Sequence, residues 1–520
     1  MKNVLELNSN EARKYMLQGS QYCTFRLPEY FVFDQLFSHI EKKIGARDEY
    51  QCYAQIIVDG KTKKIMPSNY DRINHLLFSN KDGKLDYRPL MLVNPFYYYL
   101  LVREITRPNA WKEIIERFDT LRDSHISVES IPVVDDANKD KKTIIGWWAN
   151  VEQRSLELSL QYKYMFVTDI TDCYGTIYTH AIAWAMMGVP KAKEEKGNKA
   201  FLGNRLDAAI QGMQYGQTNG IPQGNVVSDL IAELVLAFAD SLIVEKAKEK
   251  NITDYHIIRY RDDYRVFCND KNRLEDLALV MQIVLAMFNF KINSAKTSVE
   301  EDLVLGSLKK DKIAVFNQYL HRKDLDVESL NKDKSLLQKE LLAIYIFSKQ
   351  YPNSGSVERM LGDVYDWFNA SGVNKCNWTV LSSILVSIAK DNPRTYGIVA
   401  AIISLFVEKM EVNEKAGLIK SVYEKISSWP NSSLLMIWLQ RITLTIDKSF
   451  VFDDEICRAV SGEAVDLWNN DWLDNALLMG FSNKLFISDN VINDMKTSIE
   501  KDIVSPFSTC VSEDVKVVDD

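Results

Sequence analysis

The sequence predicts an α+β fold followed by an all-α region. Three observations carry that reading. Strand-like and helical patterns alternate from about residue 162 to about residue 300. Strand-like alternation stops after about residue 325. From 334 to 484 helical segments succeed one another, each about four turns long. The length agrees, since 520 residues make two to four domains at ~100–200 residues each.

The elements follow in order. Residues 1–50 read as mostly helical, with scattered aromatic rings. "QCYAQIIVDGKTKKIMP" (51–67) reads as two strands around a turn at Asp59-Gly60. "YRPLMLVNPFYYYLLVREI" (87–105) begins extended, turns at Asn94-Pro95 and continues as a helix. "DDANKDKK" (135–142) reads as a polar loop, and "YKYMFVTDI" (162–170) as a buried strand. Helices are expected in "IYTHAIAWAMMG", stopping at Gly188 and Pro190, and at 197–214, 226–250 and 273–290. "NGIPQGN" (219–225) is a Gly/Pro-rich loop. "HIIRYRDDYRVFC" (256–268) reads as strand, turn and strand, and "KINSAKTSVEE" as a turn and strand. Further helices are expected at 334–350, 356–370, 378–390, 393–411, 414–428, 432–446, 454–468 and 472–484. They read as a stack of antiparallel helices, repeat-like but without a clean sequence period. The tail "VSEDVKVVDD" reads as frayed.

Composition narrows the function. Hydrophobic residues make up 46% and charged ones 26%, an ordinary globular balance. The net charge is −8, from 63 Lys and Arg against 71 Asp and Glu. A nucleic-acid site, if present, is therefore a local groove and not a global basic surface. Seven cysteines lie far apart, with no C-x-x-C pair and no histidine cluster beside them. That argues against a zinc site and against a disulfide framework. The N-terminal "MKNVLELNSNEARKYM" has no apolar core of a signal peptide, and no window approaches 18 uncharged apolar residues. The expectation is a cytoplasmic protein in a reducing compartment, with no membrane partner.

Carboxylates supply the chemistry. Asp169 ends the strand in "YMFVTDITDCYGTIY", and Asp262 and Asp263 sit at the tip of the "HIIRYRDDYRVFC" hairpin. If these segments are neighbours, three carboxylates converge at one end of a sheet. An all-oxygen set with few histidines suits a hard cation such as Mg²⁺. Two such ions can activate a 3′-hydroxyl and neutralise a leaving pyrophosphate. Taken singly, each part has a plainer reading: a solvated Asp-Asp turn, an N-cap at Asp169, a common Pro-Gln-Gly loop. The order of parts decides between them. Asp at a strand end, a Gly/Pro loop entering a long helix, an Asp-Asp hairpin, an amphipathic helix and a Lys make a polymerase palm.

Residues 85–300 resemble reverse transcriptases. "FVTDITDCY" (166–174) looks like motif A, and "GIPQGNVVSDLIAELVL" (220–236) like motif B with Pro222, Gln223, Gly224 and Ser228. "YRDD" (260–263) looks like motif C, "KINSAKT" (291–297) like motif D, and "YRPLMLVNP" (87–95) like the fingers-side motif of bacterial members. Retron and group II intron enzymes tend to have Ser-Pro and then Asn in the motif B helix, where this chain has Asp229 and Glu233. Ser228, Ala232, Glu233 and Asp240, with Arg259 and Arg265 around the Asp-Asp pair, resemble the bacterial abortive-infection and "unknown group" enzymes. Those are associated with defence against phage, and several carry a HEAT-like helical domain.

The resemblance implies a right-hand polymerase: fingers, and a palm with an RRM-like antiparallel sheet and helices, then an all-α, HEAT-like repeat domain. The implied division is 1–160 for the N-terminal region and fingers and 161–305 for the palm, with a fingers insertion around 190–215. A thumb-position helical domain would span 306–500 and a flexible acidic tail 501–520. Asp169 and Asp262 would ligate two Mg²⁺, or Mn²⁺, with help from the Ile170 carbonyl, and Asp263 would complete the set. Tyr174 would be the steric gate against a ribose 2′-OH, or else a packing residue. Gln223 and Gly224 would lie against template and nucleotide, and Arg88 would contact triphosphate. Lys296 would assist pyrophosphate departure or lie solvated. Lys309, Lys310, Lys312, Arg322 and Lys323 would track a template–primer backbone or form a solvated face. Trp468 and Trp472, four apart, read as core residues rather than a base-stacking platform.

The function so implied is RNA-directed DNA synthesis from dNTPs in antiphage defence, on an associated noncoding RNA template, with DNA as product. Untemplated or protein-primed synthesis by the same site is the alternative. A non-catalytic scaffold that binds RNA or a phage component is the alternative of another class. Abortive-infection relatives form trimers or hexamers, which implies a homo-oligomer here.

Overall fold

The computed structural model describes residues 2–81, 86–134, 150–319, 327–333 and 335–504. The polar loop expected at 135–142 lies outside them. Two hairpins open the β structure. β1 (Gln55–Val58) and β2 (Lys61–Lys64) pair across Asp59 and Gly60, at φ 53° and 71°. Both central residues have positive φ, as a two-residue hairpin turn of type I′ requires, and an Asp-Gly pair supplies this most cheaply. β3 (His75–Asn80) pairs antiparallel with β4 (Tyr87–Leu92). Asn94 then caps the helix Pro95–Ile105 by accepting from the N–H groups of Phe96 and Tyr97. The sequence reading anticipates the turn at Asp59-Gly60 and a turn into helix at Asn94-Pro95.

A five-stranded sheet forms the centre: β5 (Ile126–Val128), β6 (Tyr164–Asp169), β7 (Tyr255–Tyr260), β8 (Asp263–Cys268) and β9 (Ser298–Glu300). Its order is β5-β7-β8-β6-β9. β5 runs parallel to β7, and the other pairs are antiparallel. β5, three residues long, shows no pattern in the sequence. Both faces are covered. Phe166, Ile257, Tyr264 and Val266 join the main core, which includes the long helix Val226–Glu249 and the helix Lys271–Met287. Met165, Ile258, Tyr260 and Phe267 point the other way and pack with Val151, Leu158 and Leu303. The period of two fixes where the charges go: Asp169, Asp263 and Arg265 fall on this second face, and Arg259 and Tyr264 face the long helix.

After the five-stranded sheet, six helices stack: Ser335–Gln350, Gly355–Ala370, Trp378–Asp391, Tyr396–Lys409, Val412–Ser427 and Ser433–Thr443. Each touches its neighbour or next neighbour, so the first, third and fifth make one layer and the others a second. The fourth is buried from Tyr396 to Val407, so it is apolar all round, with no polar face. Two expected helices fail. Instead of 454–468 and 472–484, only Glu455–Val460 and Asn475–Leu478 are helical. Gly462, at φ 89°, ends the first. The Asn469 side chain then accepts the Asp471 N–H, which competes with helix formation, and Asp474 starts the short second helix late by capping it at Ala476 N–H. The tail expected from 501 begins in order: Lys501–Val504 is helical and Val504 is fully buried.

This C-terminal region folds back onto β3, β4 and the N-terminal segment. Trp468, 3% exposed, donates from Nε1 to the Leu92 carbonyl at 2.9 Å. Asn80 donates to the Lys390 carbonyl and accepts from Asn431. Arg441 and Glu29 form an ion pair at 2.5 Å. Trp468 and Trp472 are core residues, but they lie in loop and share no helical turn. Trp468→Ala is expected to destabilise the fold by about 3–5 kcal/mol. Trp468→Phe, which keeps a ring and loses the hydrogen bond, is expected to cost about 1 kcal/mol. Denaturant midpoints check both; equal losses would assign the stability to the hydrogen bond and not to packing.

Candidate active site

Asp169 and Asp263 are direct partners in the β6–β8 register, so their side chains leave the same face of the sheet. Asp262 sits with Arg261 in the two-residue turn between β7 and β8. Its carbonyl accepts the Ile170 N–H at 3.0 Å, which ties the turn to the end of β6. Arg261 takes φ 53°, a left-handed conformation that costs a non-glycine residue of order 1 kcal/mol. Burial pushes the Asp262 carboxyl up, opposed by Arg261. Burial and then the Asp262 charge push Asp263 up, opposed by Lys309 and Lys296.

A crowded set of acids calls for positive charge. Lys296 Nζ lies 3.1 Å from Asp169 Oδ2. Asp169 Oδ1 is buried without a hydrogen-bond partner among the described residues. Among those residues no three His, Cys, Asp or Glu side chains form a ready-made cage for an ion. That is what mutual repulsion and the Lys296 contact dictate. The donors still fit a hard divalent cation: they are all oxygen, burial raises the carboxyls of Asp262 and Asp263, and one buried oxygen of Asp169 has no hydrogen-bond partner among the described residues.

The other predicted residues fall around this point. Gln223 and Gly224 lie in the loop that enters the long helix. Met91 N donates to the Gln223 carbonyl at 2.8 Å and Thr24 N to the Gly224 carbonyl at 2.9 Å. Gly224 has φ 122°, and a Cβ there would meet the Phe25 ring at 3.0 Å, so only glycine fits. Arg88 is exposed on β4, and its charge acts on Asp262. Lys309 acts on Asp263; burial and then Arg394 push its own amine down to about 8. Lys312 is engaged by Glu152 at 2.7 Å, and Lys310 is exposed. Arg322 and Lys323 lie outside the described residues.

Sequence reasoning marked Arg259, Glu233 and Asp240 as a pattern without seeing their contact. Arg259 is 0% exposed and donates to Glu233 Oε2 at 2.8 Å and Asp240 Oδ2 at 2.7 Å. Tyr264 donates to the other oxygen of Asp240 at 3.0 Å. Tyr174 and Arg261 treat Asp229 in the same way, at 2.6 and 3.0 Å. Arg265 donates to Ser155 and to the Ser307 carbonyl. A signal existed: acids at i, i+4 and i+11 in the stretch Val226–Val244, otherwise apolar but for two serines, must be buried, and buried acids need partners. A cavity of about 420 Å³, lined in part by Glu233, Asp240, Arg259, Phe118 and Ile131, borders this network, and none of Asp169, Asp262 and Asp263 lines it.

Residues 86–320 match the family model of reverse transcriptase (RNA-dependent DNA polymerase). Domains of that family work with divalent metal ions. The chain is similar to apo telomerase from Candida tropicalis truncated from its C-terminal domain, at 15% identity and a TM-score of 0.30, over 52% of this chain and 56% of that one. It is also similar to telomerase from Candida albicans in complex with a TWJ fragment of telomeric RNA, at 10% identity and a TM-score of 0.29, over 78% and 67%. The first match thus spans little more than half of that telomerase chain, and likeness at these scores carries no functional argument. No curated protein matches the chain. No helix of the described residues is long and apolar enough to cross a membrane.

Arg259→Met leaves Glu233 and Asp240 buried without a cation and is expected to cost about 3–5 kcal/mol. Adding Glu233→Gln and Asp240→Asn is expected to restore part of that loss in the denaturant midpoint, because no buried charge is then unpaired.

Proposed function

We propose that this chain synthesises DNA from dNTPs at the Asp169, Asp262 and Asp263 carboxylates, in a cytoplasmic antiphage system with an associated noncoding RNA as template. The observation that carries it is the cross-strand pair Asp169 and Asp263, with Asp262 in the adjoining turn, inside a domain that matches the reverse transcriptase model. The three carboxylates, with the Ile170 carbonyl, would hold two Mg²⁺ ions. When bound, these supply activation of the 3′-hydroxyl and neutralisation of the leaving pyrophosphate.

The chain's own residues do the rest. Gln223 and Gly224 present backbone to template and nucleotide, since glycine lets them approach. Tyr174 excludes a ribose 2′-OH. Arg88 on the fingers takes triphosphate, for which a guanidinium fork is suited. Lys296, whose amine lies 3.1 Å from Asp169, would give a proton to the departing pyrophosphate. Lys309, Lys310 and Lys312, with Arg322 and Lys323, neutralise backbone phosphates. The division at 160, 305 and 500 and a trimer or hexamer complete the proposal. The defence assignment rests on the Glu233, Asp240 and Arg259 pattern and on the helical stack that follows the palm.

Purified protein with Mg²⁺ and dNTPs is expected to make DNA, and chelation by EDTA to stop it. Asp262→Ala combined with Asp263→Ala is expected to remove synthesis to background. Wild type no better than that variant would sink the enzyme reading and favour a scaffold. Sequencing the co-purified nucleic acid separates the modes: product complementary to a bound RNA means templated synthesis, and product without complement means untemplated synthesis.

A further inference from the structure

The Tyr174 ring is held from two directions. Its backbone belongs to the one-turn helix Cys173–Thr176, entered through Asp172 at φ 48°. Its carbonyl accepts the Ile221 N–H at 2.9 Å, and Gly220 N donates to the Ile177 carbonyl at 2.8 Å. These contacts fix the Cα, and packing of the half-buried ring against the main core narrows its torsions without fixing them. The hydroxyl supplies the second hold, donating to Asp229 Oδ1 at 2.6 Å, the length of a charge-assisted bond. Burial, and then the Asp229 charge, push the phenol well up, so it stays the donor.

Asp229 is itself held. Arg261 Nη2 lies 3.0 Å from its other oxygen. Arg261 N donates to Ser130 Oγ at 2.8 Å, and the Arg261 carbonyl accepts from Arg259 Nη1 at 3.2 Å. An unbroken run of contacts thus joins the Tyr174 ring to the residue directly before Asp262. The ring and the carboxylate turn are locked in one frame. Groups at a reacting centre need placement to about 0.5 Å, and a free aromatic torsion moves the ring edge by more than that.

We infer that Asp229, braced by Arg261, is a positioning residue that holds the Tyr174 ring and so sets the preference for deoxyribonucleotides over ribonucleotides. The inference rests on the proposed role of Tyr174 as the sugar gate. It assigns the discrimination to ring and tether together, not to ring bulk alone.

The test is the ratio of kcat/KM for a dNTP over the matching rNTP, measured in single-nucleotide extension by the full chain. Tyr174→Phe keeps the ring and loses the tether; Asp229→Ala loses the tether from the other side. Each is expected to lower the ratio about tenfold, the worth of a hydrogen bond to a charged group. The double variant is expected to fall about tenfold as well, not a hundredfold, because both changes break one contact. Asp229→Asn, which still offers an acceptor, is expected to recover most of the ratio. A purely structural role for Asp229 would lower the melting temperature and leave the ratio alone. An unchanged ratio in Tyr174→Phe overturns the inference, and that variant serves even if Asp229→Ala fails to fold. If Tyr174→Ala also keeps the ratio, the gate role falls too. If wild type extends with neither nucleotide, the polymerase reading falls, and the inference with it.

Discussion

Burying the guanidinium of Arg259 is the constraint on which the site depends. A charge taken wholly out of water costs several kcal/mol unless it is paired and hydrogen-bonded. Here the pairing comes from Glu233 and Asp240 on the long helix, while Arg259 belongs to the strand that leads into the Asp262–Asp263 turn. The helix and the hairpin therefore have only one register that leaves no acid unpaired. Apolar packing alone would tolerate a small slide of helix over sheet; this network does not. The Asp229–Arg261 contact repeats the device one turn nearer the carboxylates.

That rigidity is used against a local cost. Asp169 and Asp263 are like charges directly opposite on neighbouring strands, an arrangement that destabilises a sheet. Arg261 adds a left-handed turn residue. Two unfavourable features coincide at one point because the surrounding sheet over-determines it, with a core on each face. Lys296 screens Asp169, and Lys309 acts on Asp263 from the segment after the palm. Release of this repulsion by a divalent cation would make ion binding stabilise the hairpin as well as equip it.

The helical stack is also tied to the first half of the chain. Its loops and helix ends contact β3, β4 and the N-terminal segment through Asn80, Leu92 and Glu29. Arg26 pairs with Glu358 of the stack at 2.8 Å, and the adjoining Thr24 and Phe25 lie against Gly224. A movement of the stack would thus be felt at the loop that enters the long helix.

Much of this was legible in residue order. Asp59-Gly60, Asn94-Pro95, the strand that ends at Asp169 and the hairpin with two acids at its tip are local signals, each carried by turn or cap chemistry. The six long helices of the stack were legible through their periodicity. Residues 461–500 were not, because their tryptophans are buried by distant partners such as Leu92 rather than by a helix face. β5 was not, because three residues carry no pattern and its place comes from pairing with β7. The sequence by itself determined which chemistry the chain carries, since acids, glycines and turn residues act within a few positions of one another. Only the tertiary structure decided which acid answers which arginine, and that Tyr174 is tied to Asp229. Those pairings join residues 19 to 55 positions apart, and burial, which makes them obligatory, exists only once the long helix lies on the sheet.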